Sequence, residues 1–197
     1  MSALRKPVLI VFARAPRLGA VKRRLAAGIG DIAALQFYLH STRTVLRRVS
    51  PDRRWRTVLA MTPDRTVTDR LGWVGTEQMG QGFGDLGQRM ERALLQFRTN
   101  PVVLIGSDIP DIDDRHIAAA FEALGRADLV FGPSDDGGYW LVGARHGAHA
   151  RGLFDKVRWS GPHALADTLN NAGQRRTALL EELIDIDTAE DLARWRG

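Results

Sequence analysis

The chain has 197 residues, of which 44% are hydrophobic and 26% charged, proportions that are typical of a globular protein and exclude a disordered one. It has no cysteine, which excludes disulfides, thiolate zinc sites and cysteine nucleophiles and agrees with a cytoplasmic location. The formal charge of +5 permits anionic partners, but the arginines are scattered and almost without interleaved aromatic residues, so we do not expect nucleic acid to be one.

The first half of the chain alternates apolar runs with helical patterns. Residues 7–13 form a continuous apolar run, which is typical of a strand buried on both faces and too short for a membrane span or a signal-peptide core. Apolar side chains at three- and four-residue steps predict a helix that Asp31 caps and that runs to about Val49. Two strands and a helix are then predicted at residues 53–61, 73–78 and 85–97.

The second half continues this alternation and adds a reversal of direction. Residues 101–106 are a second buried strand, followed by a helix that Asp113 or Asp114 caps and that ends near Leu124. Strands at 128–132 and 139–143 flank an Asp-Gly-Gly turn, which predicts an antiparallel pair. A helix near 162–171, a strand ending near residue 187 and a short final helix complete the chain.

Strands that alternate with helices predict an α/β fold, with a mostly parallel open sheet flanked by helices on both faces and an antiparallel element. No linker or repeat divides the sequence, so residues 1–197 are expected to form one domain. The sequence lacks the motifs of P-loops, Rossmann dinucleotide sites, nucleophile elbows and zinc proteases. Ligands of open α/β sheets bind beyond the carboxyl ends of the strands, so the segments that follow strands are the candidates for a site.

The loop after the first strand is rich in cations, namely Arg14, Arg17, Lys22, Arg23 and Arg24. Arginine forks hold two phosphate oxygens each and a lysine adds a mobile point charge, so this loop can wrap phosphates. Lys22 stands out because lysine is rare in this chain. The alternative is a solvated basic loop.

A second segment, residues 82–90, is a glycine-rich turn that leads into a helix. Free N–H groups at a helix start favour an anion or an acceptor atom of a base. The same glycines can equally serve as turn residues.

Asp108 lies just past the buried strand at 101–106. A carboxylate there can hold Mg²⁺ or Mn²⁺ that bridges two phosphates, and Gly106 and Ser107 allow a close approach of the backbone. The alternative is a turn or a cap. The Asp-x-Asp pattern of glycosyltransferases does not occur at this strand end, and Asp111-Ile-Asp113 is better placed to cap the next helix.

Asp135 and Asp136 lie beside Gly137, Gly138 and two aromatic residues. Such a loop can bind the hydroxyls of a sugar or place a carboxylate to take a proton from an acceptor. A hairpin turn alone also accounts for this pattern.

Near the end of the chain, Asp187 and Glu190 have the spacing of a capping box at a helix start. The alternative is that Asp187 or Asp185 provides a second metal ligand.

Five segments carry a resemblance to a known family. They are Phe-Ala-Arg-Ala-Pro-x-x-Gly-x-x-Lys-x-Arg-Leu (12–25), Gly-Asp-Leu-Gly-x-Arg-Met (84–90), Gly-Ser-Asp-x-Pro (106–110), Gly-Pro-x-x-Asp-Gly-Gly-Tyr-x-Leu-x-Gly (132–143) and Asp-x-Asp-Thr-x-x-Asp-Leu (185–192). In this order they resemble the DUF2064 family of proposed glycosyltransferases, over nearly the whole chain. The resemblance implies the nucleotide-diphospho-sugar transferase fold, also called GT-A, whose wider group includes nucleotidyltransferases.

The resemblance also implies roles for individual residues. Asp108 would hold the catalytic Mg²⁺ or Mn²⁺ and act in catalysis with Lys22 and with Asp135 or Asp136. The nucleotide and its phosphates would be bound by Ala13, Arg14, Ala15, Pro16, Lys22, Arg24, Asp85, Gly87, Gly106 and Ser107, with Asp85 and Gly87 near the base or ribose. The sugar or acceptor side would be lined by Asp135, Asp136, Gly137, Gly138 and Tyr139.

Three functions are compatible with these residues. The first is glycosyl transfer from a nucleoside diphosphate sugar to a small-molecule acceptor, with a divalent metal that neutralises the leaving diphosphate. The second is nucleotidyl transfer, in which a sugar phosphate or similar anion attacks an NTP and pyrophosphate leaves. The third is a non-catalytic module that binds nucleotides or nucleic acid. A basic loop and one metal-binding carboxylate suit both reactions, so the sequence leaves this choice open.

Overall fold

The computed structural model describes residues 5–65, residue 73 and residues 77–196. Its strands are β1 (Val8–Arg14), β2 (Arg56–Thr62), β3 (Glu77–Gly80), β4 (Val102–Ile105), β5 (Leu129–Pro133), β6 (Tyr139–Ala144) and β7 (Thr177–Leu179). Its α-helices are α1 (Arg23–Ile29), α2 (Asp31–Val49), α3 (Leu86–Leu95), α4 (Asp114–Ala123), α5 (Ala164–Ala172) and α6 (Ala189–Arg196). A 3₁₀ turn spans Gly147–Ala150.

The seven strands form one sheet in the order β3-β2-β1-β4-β6-β5-β7. Within it β6 runs antiparallel to both β4 and β5, and the other neighbouring strands described are parallel. This confirms the predicted α/β fold with a mostly parallel sheet and an antiparallel element. The reversal follows from the turn at residues 134–138, where Gly137 adopts a φ of 82° that favours glycine.

Helices cover both faces of the sheet because successive side chains of a strand point to opposite sides. On β1, Leu9 and Val11 pack into one apolar cluster with residues of α2 and α4. Ile10 and Phe12 pack into a second cluster with residues of α3 and α5. The uninterrupted apolar run of β1 is therefore explained by burial on both faces.

Three local predictions were wrong. The sequence pattern did not indicate α1, which begins after a left-handed lysine and has no side-chain cap. Asp31 is the first residue of α2 rather than its cap, and Gly30 takes the cap position with a φ of 84°. The last strand, β7, ends at Leu179 instead of near residue 187, and residues 184–188 have no regular structure.

The strand predicted at 73–78 overlaps β3 only at residues 77 and 78, and residues 74–76 lie outside the described residues. No helix in the described part of the chain combines the length and the apolar character needed to cross a membrane.

The topology decides where a site can form. Because β1 and β4 are parallel neighbours, the loops that follow them leave the same edge of the sheet. The basic loop after β1 and Asp108 after β4 are thereby brought together.

Candidate functional site

The centre of this edge is a buried ammonium group surrounded by three carboxylates. The Nζ atom of Lys22 lies 2.9 Å from Asp108 Oδ2, 2.8 Å from Asp187 Oδ1 and 3.3 Å from Asp185 Oδ1. Only 4% of the Lys22 side chain is exposed. One positive charge therefore faces three acidic groups. We call these four residues the Lys22 cluster.

Three distant segments supply the Lys22 cluster. Lys22 has φ 46° and ψ 50°, a left-handed conformation that an L-residue adopts at a cost and that aims its side chain inward ahead of α1. Asp108 follows β4, and Asp185 and Asp187 come from the segment between β7 and α6. The ion pairs of the cluster therefore tie the end of the chain to the loops of the sheet.

Burial and charge act in opposite directions on these groups. Burial lowers the pKa of Lys22, but the carboxylates of Asp108, Asp185 and Asp187 outweigh it and raise the pKa well above its usual range. Burial raises the pKa of Asp108, but the Lys22 ammonium outweighs it and holds that pKa below its usual range. For Asp185, burial first and then the neighbouring carboxylates raise the pKa to about 7, although Lys22 opposes them.

The three carboxylates also fit a divalent metal. One oxygen from each of Asp108, Asp185 and Asp187 lies within 4.8 Å of the others. Carboxylate oxygens are the ligands that Mg²⁺ prefers, and they suit Mn²⁺ as well. The Lys22 ammonium lies among the same oxygens, so a metal ion that binds there has to displace it.

The capping box predicted from Asp187 and Glu190 lies one residue further along the chain. The Asp191 carboxylate accepts hydrogen bonds from the backbone N–H (2.8 Å) and the hydroxyl (2.8 Å) of Thr188, and the Asp191 N–H donates to Thr188 Oγ1 (3.2 Å). Because Thr188 is the cap of α6, the Asp187 side chain is free to contact Lys22 and Arg24, the latter at 3.3 Å. Of the two alternatives drawn from the sequence, the structure contains the acidic cluster and places the cap elsewhere.

A cavity of about 570 Å³ opens beside the Lys22 cluster. Its lining includes Arg14, Lys22, Arg23, Arg24, Tyr38, Asp108, Ser160 and Asp187. The structure thus brings together Arg14, Lys22, Arg24 and Asp108, four of the residues predicted to bind phosphates or metal. The neighbouring Ala13 and Ala15 are buried, and their backbone groups bond to Gln81 and Thr62 within the fold. Pro16 is half-buried between them and the exposed part of the loop.

Gly106 and Ser107, which directly precede Asp108, help to fix its position. A Cβ at Gly106 would lie 3.0 Å from Asp108 Oδ1, so glycine leaves room for that carboxylate. Ser107 is 3% exposed, and its carbonyl and hydroxyl oxygens accept hydrogen bonds from the hydroxyls of Ser41 and Thr42 on α2. Neither residue lines the cavity, and both fix the position of the strand end.

Sequence reasoning missed Tyr38. Its hydroxyl donates to the carbonyl of Arg14 at 2.9 Å and accepts from the N–H of Arg14 at 2.7 Å, which fixes the last residue of β1. The helical spacing of Leu35 and Leu39 marked this face of α2 as buried, but no pattern singled out Tyr38 as a polar residue within it.

Arg89 was also missed as a separate candidate, although it belongs to the motif at residues 84–90. The buried Gln81 donates to the carbonyls of Ala13 and Ala60 and accepts from Arg89 Nη1 at 2.9 Å. Burial first and then the nearby Arg14 lower the pKa of Arg89. Two guanidinium groups are therefore held near each other at this edge of the sheet.

Asp85 and Gly87 lie at the start of α3 and are used by the fold. Asp85 is the N-cap, accepting from the Gln88 N–H at 2.9 Å, while the Gln88 side chain accepts from the Asp85 N–H at 3.1 Å. Gly87 is buried, and a Cβ there would lie 2.8 Å from both Phe154 and Trp159. Neither residue lines the cavity beside the Lys22 cluster.

The loop at 135–139 borders the Lys22 cluster without pointing its polar groups into the cavity. Asp135 accepts from the Asp185 N–H at 3.1 Å and pairs with Arg194 at 2.9 Å. Asp136 accepts from Ser134 Oγ at 2.6 Å and from the Gly138 N–H at 2.9 Å, as turn aspartates do. The Tyr139 hydroxyl lies 3.4 Å from Thr168 Oγ1, and burial raises its pKa.

Comparisons with known proteins agree with this architecture. A proposed nucleotide-diphospho-sugar transferase from Desulfovibrio desulfuricans G20 superposes with a TM-score of 0.86 at 28% identity, over 95% of this chain and 84% of that one. Rv0371c from Mycobacterium tuberculosis H37Rv matches with a TM-score of 0.60 at 17% identity, over 98% of each chain. The 4-diphosphocytidyl-2C-methyl-D-erythritol synthase of Anaerococcus prevotii DSM 20548 matches with a TM-score of 0.61 at 12% identity, over 95% of each chain.

The last two likenesses show a shared fold alone, because identity is low. Rv0371c has also been solved as a complex with manganese, which superposes on this chain with a TM-score of 0.55 at 17% identity, over 96% of this chain and 97% of that one. No curated protein sequence matches this chain. A family model matches residues 45–161, more than half of the sequence. The chain belongs to the DUF2064 family, described as uncharacterised proteins conserved in bacteria, and it has the nucleotide-diphospho-sugar transferase fold.

Proposed function

We propose that this protein is a metal-dependent transferase that uses a nucleoside diphosphate sugar to glycosylate a small-molecule acceptor. The observation that carries the proposal is the Lys22 cluster, in which three carboxylates and a buried ammonium group lie beside an arginine-lined cavity. Acidic groups able to hold a metal next to basic groups able to hold phosphates are what a diphosphate leaving group requires. The likeness to the Desulfovibrio protein supports the choice of a nucleotide sugar.

The three carboxylates, Asp108, Asp185 and Asp187, would hold Mg²⁺ or Mn²⁺. When bound, the ion would supply positive charge that neutralises the diphosphate as the bond to the sugar breaks. Lys22 would hold one end of the same diphosphate through its ammonium group, whose raised pKa keeps it charged throughout the neutral range. Lys22 is therefore the group that links metal binding to phosphate binding.

Arg14 and Arg24 would bind further phosphate oxygens. Both line the cavity, and Arg24 is 60% exposed in its side chain, so it can move from Asp187 to a ligand. Arginine forks bind phosphate in a bidentate manner and add direction as well as charge. Arg89 beside Arg14 extends this positive surface toward the start of α3, where we place the base or ribose near Asp85 and Gly87.

The acceptor would bind at the loop of Asp135, Asp136, Gly137 and Gly138. Asp135 supports this placement because it contacts the backbone of Asp185 in the Lys22 cluster. A carboxylate at this border can orient or deprotonate an acceptor hydroxyl once its bond with Arg194 opens. Tyr139 would support the loop from below through its buried ring, which packs against Phe131 and Trp159.

Nucleotidyl transfer is the second candidate. A specific observation favours it: the strand end carries one carboxylate, Asp108, and its partners come from the end of the chain rather than from an Asp-x-Asp pair. In this reaction an anionic acceptor attacks the α-phosphate of an NTP and pyrophosphate leaves, which needs positioning and charge more than covalent help from the protein.

The test is a product analysis with Mn²⁺ or Mg²⁺ and panels of nucleoside diphosphate sugars and NTPs, each offered with mixed hydroxyl and phosphate acceptors. Release of a nucleoside diphosphate supports glycosyl transfer, and release of pyrophosphate supports the second candidate. Asp108→Asn should lower turnover by about 10²–10³-fold, as expected for the loss of charge stabilisation. Asp155→Asn, an exposed acidic residue outside the cavity, is the matched control and should leave turnover unchanged.

Two outcomes would contradict the proposal. Full activity in the Asp108→Asn variant would show that the metal assignment is wrong. Tight nucleotide binding without any turnover across both panels would support the third function drawn from the sequence, a module that binds nucleotides without catalysis.

A further inference from the structure

A second basic site lies at the other end of the sheet. A groove of about 770 Å³ is lined by Arg5, Arg98, Arg145, His146 and His149 together with apolar residues. Arg5 precedes β1 and Arg98 precedes β4, whereas Arg145 follows the antiparallel strand β6. All three positions therefore lie at the amino ends of the parallel strands. The seven-residue strand β1 separates this groove from the Lys22 cluster by roughly 20 Å.

The arginines of this groove differ from those that pair with a carboxylate. Arg54, Arg115, Arg158, Arg176 and Arg194 each pair with an aspartate. In the part of the chain that the structure describes, the guanidinium groups of Arg5, Arg98 and Arg145 have no such partner, and no carboxylate lines the groove. Gathering like charges without a counterion is unfavourable unless an anion joins them.

The walls of the groove are held in place by backbone hydrogen bonds. The Gly147 N–H donates to the carbonyls of Phe97 and Asn100, each at 3.2 Å, and the Ala148 N–H donates to the carbonyl of Arg98, also at 3.2 Å. These bonds lock the 3₁₀ turn that follows His146 onto the loop that carries Arg98. The backbone that carries Arg98 and His146 is thus fixed before a ligand arrives, which lowers the entropic cost of binding.

His149 provides an independent sign of a missing partner. Its Nδ1 atom is buried and makes no hydrogen bond with the described residues, whereas buried polar atoms are nearly always bonded. Its ring packs edge-to-face on His146 with the centroids 5.5 Å apart. Asp128, the acidic group on which His149 acts, pairs with Arg176 and does not line the groove.

We propose that this groove binds a small phosphorylated anion, at a site separate from the transfer site. Three guanidinium groups suit the several oxygens of a phosphate ester or diphosphate. The apolar side chains of Phe121 and Leu124 offer a surface for its organic part. The volume lies within the range of about 300–1,000 Å³ that is usual for small-molecule sites. The site does not depend on which transfer reaction the Lys22 cluster performs.

The experiment is a calorimetric titration of inorganic pyrophosphate into the full chain without divalent metal. Lys22→Met weakens the transfer site but leaves Arg14 and Arg24 in it. Two pairs of arginine variants therefore decide whether the binding that persists lies in the groove. On that background, Arg98→Gln combined with Arg145→Gln should lower the remaining affinity at least about tenfold, as expected for the loss of two charge-assisted contacts. Arg47→Gln combined with Arg53→Gln removes the same charge from exposed positions of the described structure and should leave the affinity within about twofold.

A spectroscopic measurement on the unaltered protein keeps the test independent of any variant. Pyrophosphate should shift the imidazole resonances of His146 and His149 and leave those of the exposed His40 and His163 in place. If the Arg47/Arg53 variant lost as much affinity as the Arg98/Arg145 variant, the loss would come from the change in net charge, and the proposal would be overturned. An absence of binding to Lys22→Met, together with unshifted His149 resonances, would show that these arginines only offset the C-terminal ends of α3 and α4.

Discussion

Lys22 is the residue on which the candidate site depends most. Its ammonium group is buried and contacts three carboxylates, so its removal would leave acidic groups facing one another at low dielectric. Its left-handed backbone is unfavourable for a residue with a side chain, and this cost is offset by the ion pairs. The sequence already singled out Lys22 by its rarity and by its place after β1, but spacing could not show that residues 185 and 187 return to meet it.

Lys22→Met should lower the free energy of unfolding by about 3–5 kcal/mol in metal-free protein, the range for breaking one side of a buried ion pair. Urea denaturation at neutral pH measures this change. Lys156→Met is the matched control, because Lys156 is also left-handed, with a φ of 54°, but is exposed. A loss of stability as large in Lys156→Met would show that the backbone conformation, and not the Lys22 cluster, carries the effect.

At the scale of elements, α3 contains a glycine that the sequence suggested as a ligand contact and that close packing requires. Gly87 lies in the first turn of α3, and the family resemblance implied that it lies near the base or ribose. In the structure Phe154 and Trp159 lie against its α-carbon, so the helix approaches the segment after the 3₁₀ turn closely. The local sequence is the same in either case, because only the partner from a distant segment distinguishes packing from ligand binding.

Gly87→Ala should therefore lower the free energy of unfolding by about 1–3 kcal/mol, the usual cost of one extra methyl group in a tightly packed interior. Thermal and urea denaturation check this value. Gly161→Ala is the control, since nothing lies within 4 Å of the position where its Cβ would be and no left-handed backbone is involved. Equal stability of the two variants would mean that α3 can shift outward and that packing does not require a glycine at position 87.

At the scale of the whole molecule, long apolar runs and turn residues were sufficient to predict a mostly parallel sheet with one reversal, but not its strand order. The runs of β1 and β4 predicted strands buried on both faces, and the Asp-Gly-Gly turn predicted the reversal at β6. Two features could not be predicted. Helix α1 has no side-chain cap that would mark its start. Residues 184–188 keep an irregular path because of long-range contacts, since their carboxylates bind Lys22 and Asp135 accepts from their backbone. Irregular chain held by such contacts has no periodicity to detect.

The acidic segment at residues 184–188 makes the stability of the protein depend on pH. The pKa of Asp185 is raised from its ordinary value of 3.8 to about 7 in the folded protein, by burial first and then by Asp108 and Asp187. Between pH about 4 and pH about 7 the folded protein keeps a proton that the unfolded chain has lost. The free energy of unfolding of metal-free protein should therefore fall as the pH rises through this window, and Asp185→Asn should remove that part of the slope.

Urea denaturation from pH about 3 to pH about 8 tests this dependence, with Asp155→Asn as an exposed control that should keep the slope of the original protein. Asp108 acts in the opposite direction, because Lys22 holds its pKa below the ordinary value despite burial. Its contribution is present above the pKa of the unfolded chain and is lost as the pH falls below it. The contributions of Asp185 and Asp108 together should thus make metal-free protein most stable near pH about 4–5. If Asp185→Asn left the pH dependence of the unfolding free energy unchanged, Lys22 would keep all three carboxylates ionised.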